Sequence, residues 1–172
     1  LHDISCSIKG EKDIRIEIEG RTSPDIYGIS IESKTGVIVD NIPQRGSAGL
    51  EFTMVDKDNL MESYAKLSPD LFILHYGLNI VKNVRDDYSY YQKGLVRQIS
   101  LLKEISPLTR ILVIGVTDMA ASEGDSIISY KNIPAIIDAQ IRSTLKTDVA
   151  FWDSYRAMGG KSSIIKWAEK KP

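Results

Sequence analysis

Three short stretches of the sequence contain residue types that could stabilise a negatively charged oxygen. They are 44-QRGSAGL-50, 77-GLN-79 and 117-TDMA-120. A glycine such as Gly46 lets the backbone approach a ligand and direct its N–H group outward, and Asn79 offers a side-chain NH₂ donor. Donors of these two kinds, converging on one point, stabilise the oxyanion that develops in acyl transfer. The alternative is structural, because glycine after a strand is usually a turn residue and asparagine there is often an Asx-turn or a helix cap.

The tripeptide Gly-Asp-Ser at 124–126 raises the question whether Ser126 is a catalytic nucleophile. A serine nucleophile needs a general base within hydrogen-bonding reach, and that base needs an orienting partner. The chain has only two histidines. His2 is next to the first residue, where chains tend to fray, and His75 lies in an apolar run that favours a core or strand-end histidine over a catalytic base. We therefore expect Ser126 to lie in a polar loop and not to act as the nucleophile.

Other residues with possible chemistry have simpler interpretations. The carboxylates Asp86, Asp87, Glu123 and Asp125 could form a glycosidase-like pair or a metal site, but charged loop residues are mostly solvated. The aromatic run 88-YSYY-91 could line a carbohydrate groove, although part core and part surface of a helix is the favoured interpretation. No glycine pattern spells a phosphate-binding loop. The sequence therefore indicates no metal and no organic cofactor.

The elements that must position Gly46 and Asn79 can be read from the spacing of apolar residues. Three stretches alternate apolar and polar residues and predict an N-terminal antiparallel β ribbon with one wet face: 13–20, 26–33 and 36–43. The predicted core strands are 36–42, 71–76, 111–116 and 148–153, and the predicted helices are 56–67, 87–105, 133–146 and 162–172. This alternation predicts an α/β fold with a parallel sheet covered on both faces. Ligands bind such sheets at the carboxyl ends of the strands, where the three candidate stretches are expected.

The composition excludes several classes of protein. The 172 residues are 42% hydrophobic and 26% charged with a net charge of -1, which is typical of an ordinary globular protein and not of one that binds nucleic acid. The longest apolar runs are far shorter than the roughly 20 residues of a membrane span. Cys6 is the only cysteine, so neither an internal disulfide nor a cysteine-based metal site can form. The oligomeric state cannot be read from the sequence.

Several of these stretches resemble the conserved blocks of the SGNH hydrolases, also called GDSL-type esterases. The segment 37-VIVDNIPQRGSAGL-50 resembles the second block and 70-DLFILHYGLN-79 the third. The resemblance continues through 111-ILVIGVTDMA-120, Gln140 and 150-AFWDSYRAMGG-160, and it is greatest to the bacterial branch related to peptidoglycan O-acetylesterases.

The resemblance implies a fold, a division of the chain and a set of site residues. The fold would be a three-layer, flavodoxin-like parallel sheet preceded by an antiparallel β appendage. Residues 1–34 would be the remnant of an inserted carbohydrate-binding-like β-sandwich, and 35–172 an incomplete hydrolase core. Gly46 would give a backbone N–H group and Asn79 its side-chain amide to the oxyanion hole. Leu78 departs from the family pattern, which often has threonine or another small or polar residue there.

The resemblance also implies an activity, the removal of acetyl groups from a carbohydrate such as peptidoglycan by a serine that histidine and aspartate activate. No nucleophile block precedes Gly46, and no Asp-x-x-His block follows the last predicted helix. We therefore expect the chain to be an interior part of a longer esterase, inactive by itself. The partner would be an acetylated glycan, and the location periplasmic or secreted. The alternative is a non-catalytic glycan-binding or scaffold protein with a degenerate SGNH fold.

Overall fold

The protein is described by a computed structural model that covers residues 4–9, 13–22, 25–26, 28–33 and 35–170. The chain divides into two units, Leu1–Asn41 and Ile42–Pro172. The candidate stretches 44–50, 77–79 and 117–120 all belong to the second unit.

The described part of the first unit contains no strand, so the predicted β ribbon and the strand predicted at 36–42 are not formed there. Every described residue of 13–20 is exposed. The alternating isoleucines Ile14, Ile16 and Ile18 are therefore uncovered, at 41%, 54% and 52% of their surface. An extended segment becomes a strand only when its backbone pairs with a neighbour, and an isolated two-stranded ribbon is marginal in water. Alternation of apolar and polar residues was therefore not sufficient to predict strands in this unit.

The second unit contains strands and helices in alternation. Its strands are β1 (Leu71–His75), β2 (Arg110–Ile114), β3 (Ala120–Glu123), β4 (Ser126–Ser129) and β5 (Ala150–Trp152). Its helices are α1 (Lys57–Leu67), α2 (Leu78–Val81), α3 (Ser89–Ile105), α4 (Ile133–Thr147), α5 (Ser154–Met158) and α6 (Ser163–Glu169), with a 3₁₀ helix at Glu51–Met54.

The helices and core strands of this unit confirm most of the expected elements. Asp56 caps α1, since its carboxylate accepts from the Asn59 N–H at 3.0 Å. Pro134 lies in the first turn of α4, where the missing N–H group costs nothing. None of the helices in the described part of the chain has the length and apolarity needed to cross a bilayer.

A three-stranded parallel sheet forms the centre of the unit, in the order β1-β2-β5. One face of the sheet is buried through Leu74, Ile111 and Val113, which join a core that α3 and α4 complete. α1 packs on the same face, because Tyr64 meets Phe72 edge to face with ring centroids 4.9 Å apart.

The opposite face of this sheet corrects the expected three-layer arrangement. Leu71, Ile73 and Trp152 lie on it and are 48%, 55% and 52% exposed. The strand order explains why. Because β1, β2 and β5 follow one another in one direction, right-handed crossovers place α3 and α4 on the same side. Only a reversal of strand order would send a connecting helix to the other side.

The polar loop expected around Ser126 is also corrected, because β3 and β4 pair there as an antiparallel hairpin. Gly124 and Asp125 form its two-residue turn, and Gly124 has φ +59°. Glycine with positive φ at the first central position is typical of tight hairpin turns. The Gly-Asp-Ser tripeptide is thus a hairpin turn followed by the first residue of β4.

Candidate functional site

The carboxyl end of β1 turns sharply into α2 through Gly77. This glycine has φ +107°, and a Cβ atom built on it would lie 2.5 Å from Val116 Cγ1. A side chain here would be strained and would also collide with Val116, which lies just beyond the end of β2. Gly77 thereby lets the ends of β1 and β2 approach and places Asn79 in the first turn of α2.

A fully buried glutamine of α4 ties these two strand ends together. Gln140 Oε1 accepts from the Val116 N–H at 3.1 Å. Its Nε2 donates to the Tyr76 carbonyl at 3.0 Å and to the Tyr91 hydroxyl at 3.2 Å. Burial raises the pKa of Tyr91 to about 12, although the hydrogen bond from Gln140 lowers it, so the phenol stays neutral. Gln140 therefore fixes the backbone that follows β1 and the backbone that follows β2, beside the helix that bears Asn79.

The far end of α2 is held by a second buried amide. Asn132 Nδ2 donates to the Val81 carbonyl at 2.8 Å and also to the Tyr88 hydroxyl. That hydroxyl in turn donates to the Asn83 carbonyl at 3.1 Å. The short helix bearing Asn79 is thus anchored before its first residue and after its last.

The structure brings the 44–50 loop against Asn79. The Asn79 side-chain amide donates to the Ser47 carbonyl at 2.6 Å, across 32 residues of sequence. Both Asn79 and Gly46 are exposed. Gly46 has φ +80°, and no atom lies within 4 Å of where its Cβ would be. Asn79 is therefore bonded to the residue that follows Gly46, and both predicted site residues are exposed.

Two donors in this arrangement have no acceptor within the described part of the chain. One is the Gly46 N–H, and the other is the second hydrogen of the Asn79 amide, since an amide NH₂ carries two and Ser47 takes one. Unsatisfied donors at an exposed position are available to a ligand. An acceptor-rich group, such as a developing oxyanion, is what this pair could bind.

The loop itself is organised by Glu51, which the sequence analysis did not select. Its Oε2 atom accepts from the Leu50 N–H at 2.8 Å and from the Ser47 hydroxyl. Its Oε1 atom faces the Ala48 N–H at 3.4 Å. Burial by itself would raise the pKa of this carboxyl, but the hydrogen bonds outweigh it and hold the pKa below its ordinary value of 4.5. An acidic residue directly after a glycine-rich turn is the signal that could have indicated it.

The other candidates do not converge on this site. Ser126 is exposed at the start of β4, opposite Glu123 in the hairpin. His75 is the last residue of β1 and is exposed, so it is a strand-end histidine and not a core one. Among the described residues no hydrogen bond joins His75 to a serine, and His2 lies outside them.

The candidate carboxylates and the aromatic run 88–91 either have structural roles or are exposed to solvent. Asp87 accepts from the Ser89 N–H at 2.9 Å at the start of α3, and the hydrogen bonds from Ser89 lower its pKa. Tyr88 and Tyr91 are buried in the core, and Tyr90 is 39% exposed beneath the Arg85 guanidinium at 4.9 Å. In the described part of the chain no three His, Cys, Asp or Glu side chains are grouped to hold a metal ion.

A comparison with solved structures finds a chain described as a peptidoglycan O-acetylesterase in action. The two chains are 22% identical, with a TM-score of 0.63, and the match covers 72% of this chain and 35% of that one. The protein thus spans about a third of the length of the structure that it matches. A scan against protein-family models and a search of curated proteins find no match. At the level of a mixed α/β fold built on a parallel sheet, the chain is similar to this esterase.

Proposed function

We propose that the chain is the oxyanion-binding part of an SGNH-type serine esterase that removes acetyl groups from a carbohydrate such as peptidoglycan. The observation that supports this proposal is the hydrogen bond from the Asn79 amide to the Ser47 carbonyl, which sets Asn79 beside Gly46. The likeness of the fold to that of an esterase supports it independently. A glycan substrate of this kind would place the protein in the periplasm or outside the cell.

The proposed chemistry assigns one task to this site. Attack on an acetyl carbonyl turns its oxygen into an oxyanion, and the Gly46 N–H and the free hydrogen of the Asn79 amide would bind it. Each such donor typically lowers the barrier by about 2.7–4 kcal/mol. A rigid site is needed for this, because the donors must already point to where the charge develops. Gln140 and Asn132 supply that rigidity by fixing both ends of the segment.

The proposal requires a nucleophile and a base from residues outside these 172. Ser126 and His75 do not meet this need, because Ser126 begins strand β4 of the hairpin and His75 lies on the uncovered face of the sheet. Oxyanion donors alone provide only part of the catalysis of such enzymes. The 172-residue chain by itself is thus expected to hydrolyse acetyl esters poorly.

The protein encoded by the complete reading frame should release acetate from O-acetylated peptidoglycan. The control is the same peptidoglycan after chemical de-O-acetylation, which should release none. Acetate release that a serine-directed fluorophosphonate abolishes would support the proposal. Saccharide binding without any release of acetate would contradict it and would favour a glycan-binding or scaffold protein.

A further inference from the structure

The backbone N–H groups of the 46–50 loop do not all point the same way. The Ser47 N–H donates to the Gln44 carbonyl at 3.2 Å. The Gly49 N–H donates to the Ser47 hydroxyl oxygen at 2.8 Å. The N–H groups of Ala48 and Leu50 face the Glu51 carboxylate. Within the described part of the chain, Gly46 is then the loop residue whose N–H has no internal acceptor.

The Glu51 carboxylate is at the centre of this arrangement. It accepts from the Ser47 hydroxyl, and that same hydroxyl oxygen accepts from the Gly49 N–H. One side chain therefore satisfies two amides directly and a third through a serine. If the carboxylate were removed, these amides would compete for other acceptors, including any anion that approaches the loop.

We infer that Glu51 is a positioning residue of the oxyanion site, which holds the amides of residues 48–50 inward so that the Gly46 N–H alone faces outward beside Asn79. This inference rests on the proposed function for its catalytic meaning. Its structural content, the anchoring of the loop by Glu51, stands without it.

Neighbouring groups support the same geometry from the other side of the loop. Tyr76, which follows β1, packs its ring directly over Gly49, where any Cβ would come within 2.4 Å of Cγ. Burial and then the charge of Glu51 raise the pKa of Tyr76, so the phenol is neutral beside the carboxylate. The loop is therefore held by Glu51 from within, by Asn79 at the Ser47 carbonyl and by Tyr76 at Gly49.

The direction of the Glu51 pKa gives this anchor a pH dependence. A carboxyl whose pKa is depressed in the folded protein stabilises the fold above its ordinary pKa, and this stabilisation is lost as pH falls through the folded value. The loop should therefore be anchored at neutral pH and loosen only in acid below about the ordinary value of 4.5.

Substitution Glu51→Gln tests the anchor with little change of shape. An amide retains one acceptor oxygen and presents an NH₂ group where the second oxygen was, so it cannot accept from all three donors. Glu51→Asp, which keeps the charge on a shorter side chain, is the second variant. Glu123→Gln, on the exposed β3–β4 hairpin, is the matched control.

Hydrogen exchange of the 172-residue chain, followed by NMR, provides the first readout. In Glu51→Gln the amides of Ala48 and Leu50 should exchange about tenfold faster, a typical effect of losing a charge-assisted hydrogen bond. Exchange at the α4 amides and in Glu123→Gln should be unchanged. In the wild type, the Ala48 and Leu50 amide shifts should titrate together below pH 4.5, a readout that needs no variant to fold. Unchanged exchange, or shifts that do not titrate, would overturn the inference.

Kinetics of the protein from the complete reading frame provide the second readout. Glu51→Gln should lower kcat about tenfold with KM nearly unchanged, because the loop acts on the transition state, and Glu51→Asp should recover part of the loss. A loosened loop with unaltered kcat would overturn the positioning role. If the loop loosens in Glu51→Gln but the wild-type protein shows no esterase activity, the anchor would be supported and the proposed esterase function overturned. The two failures are therefore distinguishable.

Discussion

Two fully buried glutamines provide a sharp test of how the site is supported. Gln140 and Gln98 are both completely inaccessible to solvent. Gln140 makes three hydrogen bonds. Neither the amide nitrogen nor the amide oxygen of the Gln98 side chain has a hydrogen-bond partner in the described part of the chain. Replacing each by leucine, which is apolar and of similar size, should therefore have opposite consequences.

The loss of unfolding free energy expected for Gln140→Leu follows from the polar groups that the substitution leaves without a hydrogen-bond partner. The N–H of Val116 and the hydroxyl of Tyr91 both belong to residues with 0% exposure, whereas Tyr76 is half-buried and water can reach it. A buried polar group without a partner costs about 1–3 kcal/mol, so the two together should cost about 2–6 kcal/mol. With a urea m-value of about 2 kcal/mol/M, the midpoint should fall by about 1–3 M.

Gln98→Leu removes an amide that is buried without compensation. The substitution should be neutral or stabilise the fold by about 1 kcal/mol, because it eliminates a desolvation penalty and retains the packing of α3. Urea denaturation followed by circular dichroism measures both variants under the same conditions. A Gln140→Leu midpoint equal to that of the wild type, or a Gln98→Leu variant destabilised as much as Gln140→Leu, would refute the reasoning.

Three further predictions, two of them with a matched control substitution, test other parts of the structure. Gly77→Ala should lower the free energy of unfolding by about 2 kcal/mol or more, since it combines a positive φ with a collision at Val116, whereas Gly28→Ala, with open space around it, should change it by less than about 0.5 kcal/mol. Ser126→Ala should leave esterase kcat/KM of the full-length protein unchanged, because Ser126 belongs to a hairpin; a loss of activity comparable to removal of a nucleophile would show that this assignment is wrong. Asp56→Ala should destabilise the protein by about 1 kcal/mol in thermal denaturation through loss of the α1 cap, and Asp58→Ala, in the first turn without the capping bond, should have a smaller effect.

The order of the core strands and helices could be predicted because apolar spacing is a local signal. The runs 71–76 and 111–116 are continuous apolar segments bounded by turn residues, and each became a strand. The same continuity misled the prediction of layers. Buried strands between two helical layers read as unbroken apolar runs, yet Ile73 and Trp152 lie on an uncovered face. Which face a helix covers depends on the order of the strands in the sheet, and no local pattern of residues specifies that order.

The sequence could predict that the two site residues lie at the same end of the sheet, but it could not predict which atoms make contact. Gly46 and Asn79 were expected to meet because each stretch follows the carboxyl end of a predicted strand of one sheet, although the strand predicted at 36–42 is not formed. The bond that joins their segments runs from Asn79 to the Ser47 carbonyl, which spacing alone cannot indicate. The role of Gln140 was missed for the same reason, since its bonds reach 24 to 64 residues along the chain. Glu51 was missed although its bonds are local, because an acidic residue after a glycine-rich turn was not considered.

The central claim is that Asn79 and Gly46 bind one developing oxyanion, and removal of the Asn79 amide tests it most directly. The measurement is kcat/KM for acetyl ester hydrolysis by the protein from the complete reading frame, compared with Asn79→Ala and with Asn59→Ala on the exposed side of α1. We predict a loss of about 10²–10³-fold for Asn79→Ala and none for Asn59→Ala. Equal activity of Asn79→Ala and the wild type, in an enzyme that does release acetate, would contradict it.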